Sequence, residues 1–152
     1  MRDLRADAAQ KAASIPMPDR ANHRWRYTSP ALLVPNGAIP PALAVGSSDF
    51  QPEIGLSDEA RAAGVQAMTF PDALRTIPSV LASHLGHLAG PTDPFLALNL
   101  ATFRTGAVVL IPDGVHVEAP PRIRHVVPAG NTAMVHAARI LVIAGSNSRA
   151  TV

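Results

Sequence analysis

Six histidines are spread through a chain that contains no cysteine. Neutral imidazole is a good ligand for zinc-class metals, and two histidines three apart on one helix face reach a single ion. His84 and His87 have that spacing within a stretch whose pattern predicts a helix. No acidic residue or cysteine stands beside them, and Leu85 and Leu88 mark the same stretch as a packing surface, so the pair is not read as a metal centre. His116, His125 and His136 fall in strand-like stretches. They alternate with Val115, Val117, Val126 and Val135, which turns them away from the apolar face, toward solvent or a neighbouring sheet. Asp113 and Glu118 flank a turn. Paired carboxylates carry out general acid–base work in enzymes that cleave glycosidic bonds, but single acids beside Pro-Asp-Gly are ordinary turn chemistry. Gly106, Gly114, Gly130 and Gly145 read as turn residues, because none opens a helix in a βαβ unit or sits beside a phosphate-binding lysine. Trp25 stands between Arg24 and Arg26. That cluster either meets a partner through cation–π contact or pins an extended segment to its own domain, and the second is expected. No residue is nominated as catalytic, cofactor-binding or metal-ligating, and the chain is not expected to be an enzyme.

The elements that must position these residues are short. From Leu98 to Ile123 the chain reads LNLATFRTGAVVLIPDGVHVEAPPRI, a run of brief strands with no helix expected between them. Val109, Ile111, Val115, Val117 and Ile123 take alternate positions, broken by Pro112-Asp113-Gly114 and Ala119-Pro120-Pro121. The expected strands are 107–111, 115–118, 122–127, 133–137 and 139–144, with another beginning at Ser148. Turns are expected at Pro112-Asp113-Gly114, at Pro128-Ala129-Gly130-Asn131 and at Gly145-Ser146-Asn147. An antiparallel meander and a right-handed parallel β-helix both suit this period. The pattern is still running at Val152, so the architecture is expected to be cut short there.

Upstream, residues 3–13 predict a short helix that Pro16 and Pro18 terminate, near Ser14 or Ile15. Residues 16–41 predict an extended, proline-rich segment anchored by its aromatics and ordered by docking rather than by its own hydrogen bonds. Helices are expected over 54–64 and 70–88, the second kinked or split at Pro78, with a short strand over 65–70 between them. Ala73, Leu74, Ile77, Leu81, Leu85 and Leu88 form the apolar stripe of that second helix. Gly90-Pro91-Thr92-Asp93-Pro94 marks a boundary between an N-terminal region, 1–90, and a strand-only region, 91–152.

Composition narrows the function classes. Of 152 residues, 47% are hydrophobic and 16% charged, which argues for folded protein. The net charge of +2 comes from dispersed arginines, with Lys11 the single lysine, so no dedicated nucleic-acid surface is expected. No apolar run approaches the roughly 20 residues of a membrane span, and Asp3 and Asp7 spoil a secretory leader. A soluble, cytoplasmic protein is expected, with neither nucleic acid nor membrane as partner.

Two segments carry a family likeness. The first is Ile15-Pro16-Met17-Pro18, then Asp19-Arg20, then Trp25-Arg26-Tyr27-Thr28. The second is Leu98-Asn99, then Gly106 to Pro112, Gly114-Val115 and Ala119-Pro120. In this order and spacing they resemble the SufB/SufD family of iron–sulfur cluster assembly proteins, with the WRYT tetrapeptide favouring the SufD branch. The likeness runs from about Ile15 to the last residue, loosely over 30–88. His23-Arg24 departs from it, since an acidic residue is common there.

The resemblance implies a small N-terminal helical region followed by the first coils of a right-handed parallel β-helix, truncated. It implies a scaffold subunit acting with SufB and the ATPase SufC. The cluster would be assembled by the full complex, with no cofactor in this chain. The family's SufC-docking segment and its late residues at the SufB–SufD interface have no counterpart before Val152, so no functional residue is carried over. Two alternatives are a carbohydrate-active β-helix enzyme, for which a leader and a carboxylate cluster would be expected, and an inert truncated fragment.

Overall fold

The computed structural model describes residues 2–30, 50–126 and 137–151. Within them the chain divides into two compact units, one of residues 2–30 with 86–102 and the other of residues 50–85 with 103–126 and 137–151.

The first unit is a helix pair. Helix α1, Arg2–Ser14, carries Asp3 in its first turn and Lys11 in its last, each suited to the helix dipole. Buried Ala8 and Ala12 have no bulk to hold a neighbour away, and α1 packs along α5, Pro94–Thr102. Helix α5 begins where Asp93 Oδ1 accepts the Phe95 and Leu96 N–H groups, at 2.8 and 2.9 Å. Pro94 follows in the first turn, where its missing N–H costs nothing. Pro94, Ala97 and Leu100 are its buried residues, a spacing of three that keeps them on one helix face.

This helix corrects the expectation of a strand-only region. Leu98 and Asn99 lie on a helix, because the Asp-Pro start and a following run without β-branched residues outweigh the strand-like composition. Between α1 and α5 in sequence, residues 16–30 are not simply extended. Asp19 Oδ1 accepts the Ala21 and Asn22 N–H groups, and Asn22 caps a single 3₁₀ turn, His23–Trp25. The segment therefore makes hydrogen bonds of its own. The remainder of the expected extended segment, 31–41, lies outside the described residues.

In the second unit the strands are β1 Glu53–Gly55, β2 Gln66–Thr69, β3 Thr105–Ile111, β4 His116–Val117, β5 Arg122–Arg124, β6 Ala138–Ala144 and β7 Arg149–Ala150. The helices are α2 Asp58–Ala62, α3 Phe70–Thr76 and α4 Pro78–His84. The expected helix over 54–64 is thus a strand followed by a shorter helix. Its start is set by Ser57, whose Oγ accepts the Ala60 N–H, with Asp58 and Glu59 in the first turn. The second expected helix does split at Pro78, and it ends at His84, so Leu88 is fully exposed and not part of a stripe. The strand expected over 133–137 and the turn at 128–131 fall almost wholly outside the described residues.

Three small sheets result, ordered β2-β3-β6, β1-β5 and β4-β7. β6 runs parallel to β3 and β7 parallel to β4, each residue meeting the one 33 positions later, from Thr105 with Ala138 to Val117 with Ala150. The other pairings are antiparallel: β2 lies along the far edge of β3, and β5 pairs with β1. Among the described residues the fold is mixed α/β, with five α-helices and sheets of two or three strands, and the expected opening coils of a right-handed parallel β-helix are not formed. The reason lies in strand partners. Residues 53–55 and 66–69, which flank α2 far upstream, pair with β5 and β3, and no period within 105–150 announces such pairing.

The core of this unit is built on β3, in which every residue except Leu110 is buried. Phe70 and Phe103 meet edge to face, ring centroids 4.7 Å apart, a favoured aromatic geometry. Val109, Ile111 and Val117 join Ala60 and Val65 in a buried cluster against which Val115 and Ile123 pack. The alternation Val109–Ile123 thus marks one face, as expected. β6 is less covered. Ile140 and Val142 are 51% and 41% exposed, and its outer edge has no strand partner among the described residues.

Candidate functional site

An open groove of about 730 Å³ lies in the second unit, lined by Pro52, Ile54, Gln66, Met68, Thr69 and Asp72 among others. It lies along β2, whose second edge is unpaired among the described residues. Asp72 is its one acid, and that carboxylate is already committed. It accepts the Thr69 hydroxyl proton and is ion-paired with Arg75, while Thr69 Oγ1 accepts the Asp72 N–H in return. This reciprocal arrangement starts α3 and gives the carboxylate a structural task at the helix start. The groove offers apolar wall, an unpaired strand edge and two threonines, which suits holding a chain more than cleaving one.

A second polar cluster sits where the Pro112-Asp113-Gly114 turn meets the Gly145-Ser146-Asn147 turn. Asp113 Oδ1 accepts the Ser146 N–H at 2.7 Å. Gly114 N–H donates to the Ser146 carbonyl and Gly145 N–H to the Ile111 carbonyl, both at 2.8 Å. Asn147 adopts a left-handed conformation, φ 56°, which asparagine tolerates better than most residues. Asp113 is therefore a clamp between two turns and not half of a carboxylate pair. Glu118 is exposed. Replacing Asp113 with Ala is expected to cost about 1–2 kcal/mol, the range for a charge-assisted hydrogen bond discounted for exposure. Asp113→Asn keeps an accepting oxygen and is expected to recover most of that loss, as urea unfolding midpoints would show.

The histidines do not converge. His84 ends α4, and its Nδ1 donates to the Val80 carbonyl at 2.9 Å. His87 lies beyond the helix, so the shared face that their spacing suggested is not formed. His116 is exposed and its Nε2 donates to the Asn147 carbonyl at 3.2 Å. His125 follows β5 rather than lying in it, and its Nε2 is buried without a hydrogen-bond partner among the described residues. His125 is half-buried and Val126 exposed, which reverses the alternation expected for this pair. His136 lies outside the described residues. Among the described residues no group of three or more His, Cys, Asp or Glu side chains is placed to hold a metal ion.

Trp25 seats its ring on Phe95, centroids 4.9 Å apart, within the first unit. It therefore pins its segment to its own unit, as expected, while Arg24, Arg26 and Tyr27 remain exposed.

Sequence reasoning passed over Arg139. It is buried on β6 with its guanidinium 5.8 Å from the centre of the Phe103 ring, and burial lowers its pKa from the usual arginine value. The sequence carried no signal for this, because Ile140 and Val142 are as apolar as Leu141 and Ile143; burial alone puts Arg139 in phase with the latter pair.

Among the described residues no helix is long and apolar enough to cross a membrane. No family model matches the chain, and no curated protein matches it.

Proposed function

We propose that the chain acts as a SufD-like scaffold subunit of the SUF iron–sulfur cluster assembly machinery, working in the cytoplasm with SufB and the ATPase SufC. It is a non-catalytic role, in which the iron–sulfur cluster is the cargo of the complex and not a resident group of this chain. The observation that carries the reading is the ordered pair of segments, Ile15-Pro16-Met17-Pro18 to Trp25-Arg26-Tyr27-Thr28 and Leu98-Asn99 to Ala119-Pro120. The reading rests on these motifs and not on the fold, because the β-helix that the same likeness implied is not what the strands form.

Local structure is compatible with a scaffold. The edges of β2 and β6, which have no strand partner among the described residues, are the kind of surface through which proteins join sheets. A carbohydrate-active β-helix enzyme is favoured less, since Asp113 serves a turn and no β-helix coil forms among the described residues.

The test is co-purification of the tagged product of the native gene with SufB and SufC from the same source. A stoichiometric complex with both is expected. Recovery of the protein alone, with SufB and SufC present and soluble, would refute the proposal.

A further inference from the structure

We propose that the turn from Arg20 to Thr28 is a docking surface for an extended, acidic protein segment that carries an apolar side chain among its carboxylates. Three arginines, Arg20, Arg24 and Arg26, lie within seven residues together with His23, and all four are exposed. Tyr27 beside them is 90% exposed. Among the described residues none of these three arginines is ion-paired, in contrast to Arg75, which pairs with Asp72, and Arg124, which pairs with Glu53. The adjacent acid, Asp19, has its Oδ1 on two backbone N–H groups, and the sequence contains no further acidic residue until Asp49.

The backbone that presents these cations is held in shape. Asp19 and Asn22 each accept backbone N–H groups of the turn, and Trp25 is wedged against Phe95. A backbone already held in shape has little entropy left to lose on binding, so the ordering cost falls on the arginine side chains. Exposed arginine and tyrosine are the side chains that dominate protein–protein recognition, and the guanidinium fork matches a carboxylate with two parallel hydrogen bonds. Carboxylates paired with the arginines and an apolar residue laid on Tyr27 therefore describe the partner. Nucleic acid fits less well, because a phosphate-tracking surface engages roughly 6–10 phosphates and only three arginines stand here. This inference stands apart from the scaffold reading, since it requires neither SufB nor SufC as the partner.

Trp25 is the only tryptophan in the chain, so its emission reports on this turn alone. The full chain is titrated with a short peptide alternating Glu and Leu, and in parallel with its Lys counterpart, with single-stranded oligouridine and with phosphatidylserine vesicles. A saturable change with the Glu peptide is expected, and salt screening should weaken it at least about fivefold between low salt and 0.5 M. Arg24→Glu with Arg26→Glu should weaken it about tenfold or more, two attractions having become repulsions. Tyr27→Ala, which keeps every charge, should weaken it about threefold to tenfold. Far-UV circular dichroism on each variant separates lost docking from lost folding, and Arg26→Gln serves if the double reversal unfolds. The proposal is overturned by the absence of a saturable change at millimolar Glu peptide, by equal binding of the Lys peptide, or by tighter binding of the oligouridine or the vesicles.

Discussion

Gly106→Ala is expected to destabilise the chain by more than about 4 kcal/mol, a size reached by few single substitutions and comparable to the whole stability of a small domain. Gly106 is the second residue of β3 and has φ +148°, a region closed to residues with a side chain. The steric problem is the greater one. A Cβ at this position would overlap the carbonyl oxygen of Arg139 and stand 2.8 Å from its carbonyl carbon and 3.0 Å from its nitrogen. All of those atoms are backbone of β6, the strand paired to β3 at this residue, so no rotamer change relieves the contact. The two strands must separate or the peptide must turn, and either breaks the central ladder of the three-stranded sheet.

Gly114→Ala supplies the comparison. Gly114 also has positive φ, +69°, but a Cβ there meets no atom within 4 Å, so only the left-handed backbone cost of about 1–2 kcal/mol applies. Chemical denaturation of both variants, or soluble yield if Gly106→Ala does not accumulate, would read the difference. Equal losses would mean that the close approach of β3 and β6 is not maintained in solution.

Gly106 also shows where the sequence was opaque. Gly106 is not the turn residue that its neighbours suggest, because its constraint comes from a strand 33 residues away. Local signals were legible. The first helix, the split at Pro78, the strand before Phe70 and the turns at Pro112-Asp113-Gly114 and Gly145-Ser146-Asn147 all depend on neighbours in the chain. The shared apolar face of Val109, Ile111 and Val117 was legible for the same reason, since period two does not depend on which strand lies alongside. Pairing was not legible. Nothing in Glu53-Ile54-Gly55 announces Arg122-Ile123-Arg124 as its antiparallel partner, and the β-helix expectation failed on that point. For the candidate site, the sequence drew attention to Trp25 and its arginines but not to the groove along β2. The groove exists only once Pro52, Ile54 and the β2–α3 junction are brought together.

Phe103→Ala is expected to cost about 3–5 kcal/mol, the range for truncating a fully buried aromatic side chain. Phe103 has no exposed surface, and it is the residue through which an aromatic contact and a buried cation meet. Its ring stands edge to face with Phe70 and lies under the Arg139 guanidinium. Truncation removes the transfer free energy of the ring, leaves a cavity beside Phe70, and takes from a buried cation the π-face that helps to offset its lost hydration. The three contributions can be separated. Phe103→Leu refills most of the volume without a π-face, so it should recover more than half of the loss if the cavity dominates. Arg139→Met removes the buried charge at similar length and is expected to change stability by no more than about 1 kcal/mol, because replacing a buried charge with well-packed apolar volume is often neutral or stabilising. In the Arg139→Met background, Phe103→Ala should then cost about 1 kcal/mol less than in the parent chain, the amount assigned to the cation–π contact. Denaturant unfolding of the four chains of that cycle measures the coupling directly. A coupling of zero would make the Arg139–Phe103 approach a by-product of packing, and a loss below about 1 kcal/mol for Phe103→Ala itself would mean that this aromatic pair is not the centre of the core.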